Sequence, residues 1–162
     1  MNGRTGGGNG GFTYLSLLFL VTLMGLAAGT AGKYWSFEVR REKEEELIFR
    51  GMEIRRAIGK YYSESPGAKT YPRSIDDLAN DPRYPVTKRH LRKIYHDPMT
   101  GEADWEVIRA PDGGIMGVRS SSQAEPIKKQ GFPPELKGFE NRYFYNEWQF
   151  VFVPQEPKNK RP

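Results

Sequence analysis

His90 and His96 stand six positions apart, beside Asp97 and Asp104, in a stretch rich in Lys and Arg. Metal binding or general-base chemistry would need these groups to converge on one point, and their spacing does not impose that. They are read as two surface histidines. The cations Lys88, Arg89, Arg92 and Lys93, close to Tyr84 and Tyr95, form the other cluster that could do chemistry. Such a patch suits nucleic-acid phosphates or an acidic membrane surface, but its make-up is also that of a solvated helix face, which is the reading adopted. Asp112, followed by Gly113 and Gly114, places a single carboxylate in a turn. Calcium takes six or more oxygen ligands, so no metal is expected there. No Gly-rich phosphate loop, nucleophile elbow or HExxH pattern occurs. The sequence therefore predicts no catalytic residue, no cofactor and no metal site.

The elements around these residues begin with residues 1–11, a Gly- and Asn-rich leader whose one charge is Arg4. Residues 12–32 form an uncharged apolar run, and about 20 residues of helix rise about 30 Å, the thickness of a bilayer's hydrocarbon core. Lys33, Tyr34 and Trp35 follow, a cation and an aromatic pair suited to a headgroup boundary. Residues 33–62 keep a helical rhythm in a water-compatible composition. Arg40/Glu44, Arg41/Glu45 and Glu46/Arg50 stand at i,i+4 spacing, each such pair contributing a few tenths of a kcal/mol on an exposed helix. Leu47, Gly51, Ile54, Ile58 and Tyr61 make one apolar stripe. Pro66 stops the helix. One rod, half in lipid and half in water, is expected over residues 12–62, about 75 Å long.

Beyond it, residues 63–154 read as a globular α+β head and residues 155–162 as a polar tail. Ser74-Ile-Asp-Asp77 is a helix-start pattern ahead of Leu78. Asp81-Pro82 and Asp97-Pro98 are turn formers, the second completed by Met99-Thr100-Gly101. Residues 105–109 and 115–119 are predicted strands joined through Pro111-Asp112-Gly113-Gly114. Residues 125–139 are expected to be irregular, and residues 143–153 to form a last strand. Trp105, Trp148 and the aromatics of that last stretch are assigned to the core. With no cysteine, disulfides and thiolate metal sites are excluded. The net charge of +5 is spread among mixed charges and is read as solvated surface.

Gly11-Phe12-Thr13-Tyr14-Leu15-Ser16, opening a hydrophobic helix after a short leader, resembles the type IV pilin and type II secretion pseudopilin family. Tyr71-Pro72, Asp97-Pro98-Met99-Thr100-Gly101 and Asp104-Trp105 extend the likeness to the region after the helix in the major pseudopilins. The resemblance implies a pilin-like α+β fold, a long N-terminal helix packed on a small antiparallel sheet. It also implies cleavage by a prepilin peptidase between Gly11 and Phe12, methylation of the new Phe12 amine, and a structural role in protein secretion. The implied partners are other pilin or pseudopilin subunits, the prepilin peptidase, an inner-membrane assembly platform with its cytoplasmic ATPase, and membrane lipid. Nucleic acid is not expected among them. The implied location is the inner membrane, a single pass with the head in the periplasm, from which the subunit is extracted into a pseudopilus. Absence of cysteine favours a pseudopilin over a pilin, many of which close a C-terminal loop with a disulfide.

Three departures stand out. Ser16 occupies the position of the family's Glu, a carboxylate that the resemblance pairs with a neighbouring subunit's N-terminal amine. A hydroxyl can accept a hydrogen bond but cannot neutralise an ammonium, and an unpaired charge in lipid costs about 2.5–3.5 kcal/mol or more. Phe12 and Ser16 are the expected assembly residues, and Ser16 favours a minor, capping or accessory subunit over the bulk one. Lys33 stands where many pilins carry a proline; Gly25, Gly29 and Gly32 supply either pliancy or close helix packing. The major pseudopilins' calcium loop has no counterpart.

Three other readings compete. Gly29-Thr30-Ala31 meets the small-x-small rule of a Sec signal, which would leave a soluble periplasmic protein beginning near Gly32. A simple membrane anchor is the second; Arg4 alone before the run, against Lys33, Arg40, Arg41 and Lys43 after it, would leave the head in the cytosol by charge count. The leader junction outweighs that count, because the implied processing route keeps the leader cytoplasmic. The third is a DNA-uptake minor pilin using the basic cluster.

Overall fold

A helix stripe, a capped turn and a pair of short strands carry most of the head's architecture. The computed structural model describes residues 10–154, with side chains at 10–12 and 27–34 outside the description. Helix α1 spans Gly10–Ser63, 54 residues, and ends where the sequence predicts its stop. The chain divides into two units, Met1–Arg41 and Glu42–Pro162.

In the second unit α1 buries the predicted stripe: Leu47, Ile54 and Ile58 are fully buried, with Ala57 and Tyr61 beside them. Helix α2, Asp76–Ala79, starts at the predicted place. Ser74 and Asp77 make a reciprocal box, in which the Asp77 N–H donates to Ser74 Oγ (3.2 Å) and the Ser74 N–H to Asp77 Oδ2 (3.0 Å). Leu78 goes from that turn into the core.

Strands β1, Glu106–Arg109, and β2, Ile115–Arg119, fall within the predicted spans and pair antiparallel, Glu106 opposite Arg119 and Val107 opposite Val118. Their turn needs Gly113, whose φ of +83° lies where side chains are strained. Strand β3, Phe150–Val151, adds to β2 antiparallel, so the sheet order is β1-β2-β3. β1 is an edge strand, and its charged Glu106 and Arg109 and a bulge at Ile108/Arg109 guard it against edge-to-edge pairing.

The last strand is much shorter than the alternation of residues 143–153 predicts. Tyr145–Glu147 turn into a 3-10 helix instead. The Glu147 carboxylate accepts the N–H groups of Tyr143 and Phe144 (2.7 and 3.2 Å). The N–H groups of Tyr145 and Asn146 donate to the carbonyls of Ala124 and Ser122. The backbone is thereby satisfied by a neighbouring loop, which removes the need for a ladder. Residues 125–139, expected to be irregular, contain a second short 3-10 helix, Pro134–Phe139, kinked at Leu136.

Aromatic rings fill the centre. Trp148 stacks on Phe139 (5.1 Å between centroids, 7° between planes) and meets Phe132 and Tyr145 edge-on at 5.3 and 5.2 Å. Its buried Nε1–H has no hydrogen-bond partner among the described residues. Phe150 reaches from β3 onto α1 at Gly51, where a Cβ would lie 2.5 Å from the ring. Gly51→Ala is therefore expected to destabilise the head by about 1–3 kcal/mol through overpacking, against the ~1 kcal/mol gain of Ala in a helix. Urea unfolding of the full chain in detergent would measure it. Phe150→Leu in the Gly51→Ala background should recover part of the loss; an unchanged or raised midpoint in the single variant would show that the ring yields.

Candidate functional site

The residues read as processing and assembly positions lie in the first unit. Gly11 and Phe12 are within α1, and their side chains fall outside the described residues. Ser16 is exposed on the same helix. Around it Tyr14, Leu15, Leu17, Leu18, Phe19, Leu20, Val21, Leu23, Met24 and Leu26 are all exposed, from 48% at Leu18 to 70% at Phe19. Leu17 to Val21 are consecutive, and steps of about 100° carry five residues around the whole circumference. The segment is thus apolar and uncovered on every side, which in an amphipathic surface helix would hold for one face at most. Among the described residues no helix is long and apolar enough to cross a membrane. Residues 13–26 by themselves rise about 21 Å, short of a hydrocarbon core of about 30 Å.

The two histidines separate. His96 is exposed, with Nδ1 3.4 Å from the Gly101 carbonyl. His90 corrects the surface reading: its side chain is only 1% exposed, and its Nε2 lies 2.9 Å from Asp81 Oδ2. Burial pushes the Asp81 carboxyl up, but hydrogen bonds from Arg83 and His90 outweigh it and hold the group well below its usual range. An ionised carboxylate only accepts, so His90 donates from Nε2.

Arg83 completes the cluster. Its Nε and Nη2 donate to Asp81 Oδ1 and Oδ2 at 2.8 and 2.6 Å, a bidentate pair. Nη2 also donates to the Tyr61 carbonyl (2.9 Å), Nη1 donates to Ser65 Oγ, and the guanidinium sits 3.4 Å over the centre of the Tyr61 ring. Lys69 donates to the Ser63 carbonyl and the Tyr84 hydroxyl to that of Glu64. Carbonyls at the end of a helix lack intrahelical partners and carry partial negative charge, so cations and donors belong there. The cluster closes the C-terminus of α1.

The basic stretch is not a helix: residues 88 and 89 are irregular and residues 90–93 form bends. Lys88 pairs with Glu64 at 2.8 Å, while Arg89, Arg92 and Lys93 are exposed. Lys88 Nζ lies 4.3 Å from the centre of the Tyr84 ring, and Phe49 meets Tyr95 edge-on at 6.4 Å.

Acidic residues serve the fold. Asp97 is fully buried in its turn, where its Oδ1 accepts the Met99 N–H (2.8 Å) and its Oδ2 the Ser120 hydroxyl (2.6 Å). Asp104 accepts the hydroxyls of Thr100 and Ser121, both at 2.6 Å, and those bonds hold its carboxyl below the usual value. Asp112 Oδ1 accepts the Gly114 N–H (3.0 Å) within the hairpin turn. Among the described residues no three or more potential metal-ligating side chains come together.

Glu44 escaped the sequence reading, which paired it with Arg40 on an exposed helix face. It is 3% exposed. Its carboxylate accepts the N–H groups of Ile127 (2.8 Å) and Lys128 (3.1 Å) and the Tyr145 hydroxyl (2.8 Å). Of the three predicted helix pairs, Glu46–Arg50 has its ion pair at 2.7 Å. The only local hint at Glu44 was its place three residues before Leu47, on the edge of the buried stripe.

These features define an α+β protein with a small three-stranded antiparallel sheet packed on a helix. No family model, no curated protein and no solved structure matches the chain.

Proposed function

We propose that this chain is a structural subunit of the pilin and pseudopilin kind, held in the inner membrane with its head in the periplasm. It is cleaved between Gly11 and Phe12 and assembled with like subunits into a fibre that serves secretion across the envelope. One observation carries the reading: the helix around residues 14–26 is apolar and exposed on all sides. About 25 cal/mol per Å2 of apolar surface favours covering it, and lipid or neighbouring helices are the surroundings that cover a whole circumference. The apolar run continues in the sequence to Gly32, long enough with the described part to reach across a bilayer.

The leader junction Gly11-Phe12-Thr13 and an α+β head closed on the lower half of the helix support the same reading. The head contributes no active centre. Work is done by assembly: α1 carries the subunit contacts, with Ser16 where an ammonium of the next subunit would otherwise meet a carboxylate.

Intact-mass analysis of the native protein, made in cells with a prepilin peptidase, tests the proposal. The expected mass is that of a chain beginning at N-methylated Phe12. A chain beginning at Met1, or near Gly32 after loss of the apolar run, would remove the basis for it.

A further inference from the structure

Thr70–Arg73 and the hairpin turn between β1 and β2 enclose an open pocket of about 300 Å3 in the head. It is lined by Thr70, Tyr71, Arg73, Arg109 and the turn Asp112–Gly114. The frame is held by backbone bonds: the Ile115 N–H donates to the Pro72 carbonyl (2.7 Å), the Ala110 N–H to Gly114 (2.8 Å) and the Gly113 N–H to Ala110 (2.9 Å). Gly114 lets the two segments touch, because a Cβ there would come within 2.5 Å of the Tyr71 Cβ. The Tyr71 hydroxyl is tied to the Phe152 carbonyl at 3.3 Å, which anchors the ring that forms one wall.

The charges in this pocket do not cancel one another. The Arg73 guanidinium has no hydrogen-bond or ion-pair partner among the described residues, where only its backbone N–H is used. Arg109 spends one N–H on the Gly113 carbonyl (2.8 Å) and makes no ion pair there. Asp112 is the one carboxylate in the lining, and its Oδ1 is turned to the Gly114 N–H. Two guanidinium forks against one carboxylate leave a positive excess in the lining. Planar forks of this kind match the paired oxygens of carboxylates and phosphates.

The geometry points to an oxyanion site: Arg73 and Arg109 bind a carboxylate or phosphate group, with the Thr70 hydroxyl within the lining and the rest of the ligand against Tyr71. This site is separate from the apolar helix and does not depend on the proposed assembly role.

The test is a titration of the full-length protein in detergent with inorganic phosphate and, separately, acetate. Ionic strength is held constant, chloride is the control, and the side-chain Nε–H resonances of the arginines are followed by NMR. Saturable shifts confined to Arg73 and Arg109 are expected. Arg73→Gln should weaken the response of Arg109 by about tenfold or more, since a charge-assisted bond contributes 1.5–3 kcal/mol. Asp112→Asn keeps the acceptor for Gly114 and removes a like charge, and should tighten binding severalfold. A response to phosphate alone assigns a phosphate-bearing ligand, and a response to acetate alone a carboxylate. Equal shifts with chloride, shifts spread over all arginines, or an Arg109 response untouched by Arg73→Gln would overturn the site.

Discussion

Glu44→Ala is expected to lower the stability of the head by about 3–5 kcal/mol, since each buried donor left without a partner costs about 1–3 kcal/mol. Three donors converge on this carboxylate: the N–H groups of Ile127 and Lys128 and the Tyr145 hydroxyl. Truncation would remove this acceptor from the buried Tyr145 hydroxyl and from two part-buried backbone N–H groups. The residue also joins α1 to the irregular segment after β2 and to the turn before β3, so its loss loosens two connections at once. Glu44→Gln keeps one carbonyl acceptor but turns an amide donor towards the same N–H groups, and should cost about half as much.

Chemical denaturation of the full chain in detergent measures these changes as midpoint shifts at constant m. Tyr145→Phe removes one of the three donors, so its effect in the Glu44→Ala background should be smaller than in the native chain, and the double-mutant cycle reports the difference. A Glu44→Ala loss below about 1 kcal/mol would place the carboxylate among ordinary surface charges.

The second large effect is expected at Asp81. Asp81→Asn should destabilise the head by about 3–5 kcal/mol, the usual result of removing one partner from a buried ion pair. Arg83 would lose its bidentate acceptor while still committed to the Tyr61 carbonyl and Ser65, and His90 would face an amide that offers a poorer acceptor. The loop through residues 81–91 would then hold the end of α1 less firmly.

This carboxylate also sets an acid dependence with a definite sign. Because its folded pKa lies below the ordinary 3.8, the stability it contributes is fully present above that value. As pH falls below about 4, the unfolded chain takes up the proton first and the contribution drains away towards the lower folded value. Thermal unfolding should therefore fall more steeply with acidification in the native chain than in Asp81→Asn. Glu64 and Asp104, also held below their ordinary values, contribute to both curves, so the difference between them isolates Asp81. Parallel curves would mean that Asp81 does not hold this network together in solution.

Local pattern was legible wherever the physical cause is local. The stripe from Leu47 to Tyr61 follows helical period, Ser74 and Asp77 make their box across one turn, and Pro111-Asp112-Gly113-Gly114 turns because Gly113 can take a positive φ. The exposed, apolar N-terminal helix follows from composition alone. His90 looked like a surface histidine because the stretch around it is cationic; Asp81, nine residues away, brings it inside. The stretch from residue 143 reads as a strand by alternation, yet Ala124 and Ser122 take up its N–H groups and leave only Phe150 and Val151 in the ladder.

The amino-acid order by itself determined an apolar helix without a covering face, a helical stripe for the head, and two strands with their turn, because period, side-chain size and turn chemistry act between near neighbours. Tertiary structure alone decided that Glu44 and Asp81 are buried carboxylates and that Arg73 and Arg109 line one pocket. Those outcomes depend on donors and acceptors brought together from distant parts of the chain, and no spacing along the sequence encodes which of them meet.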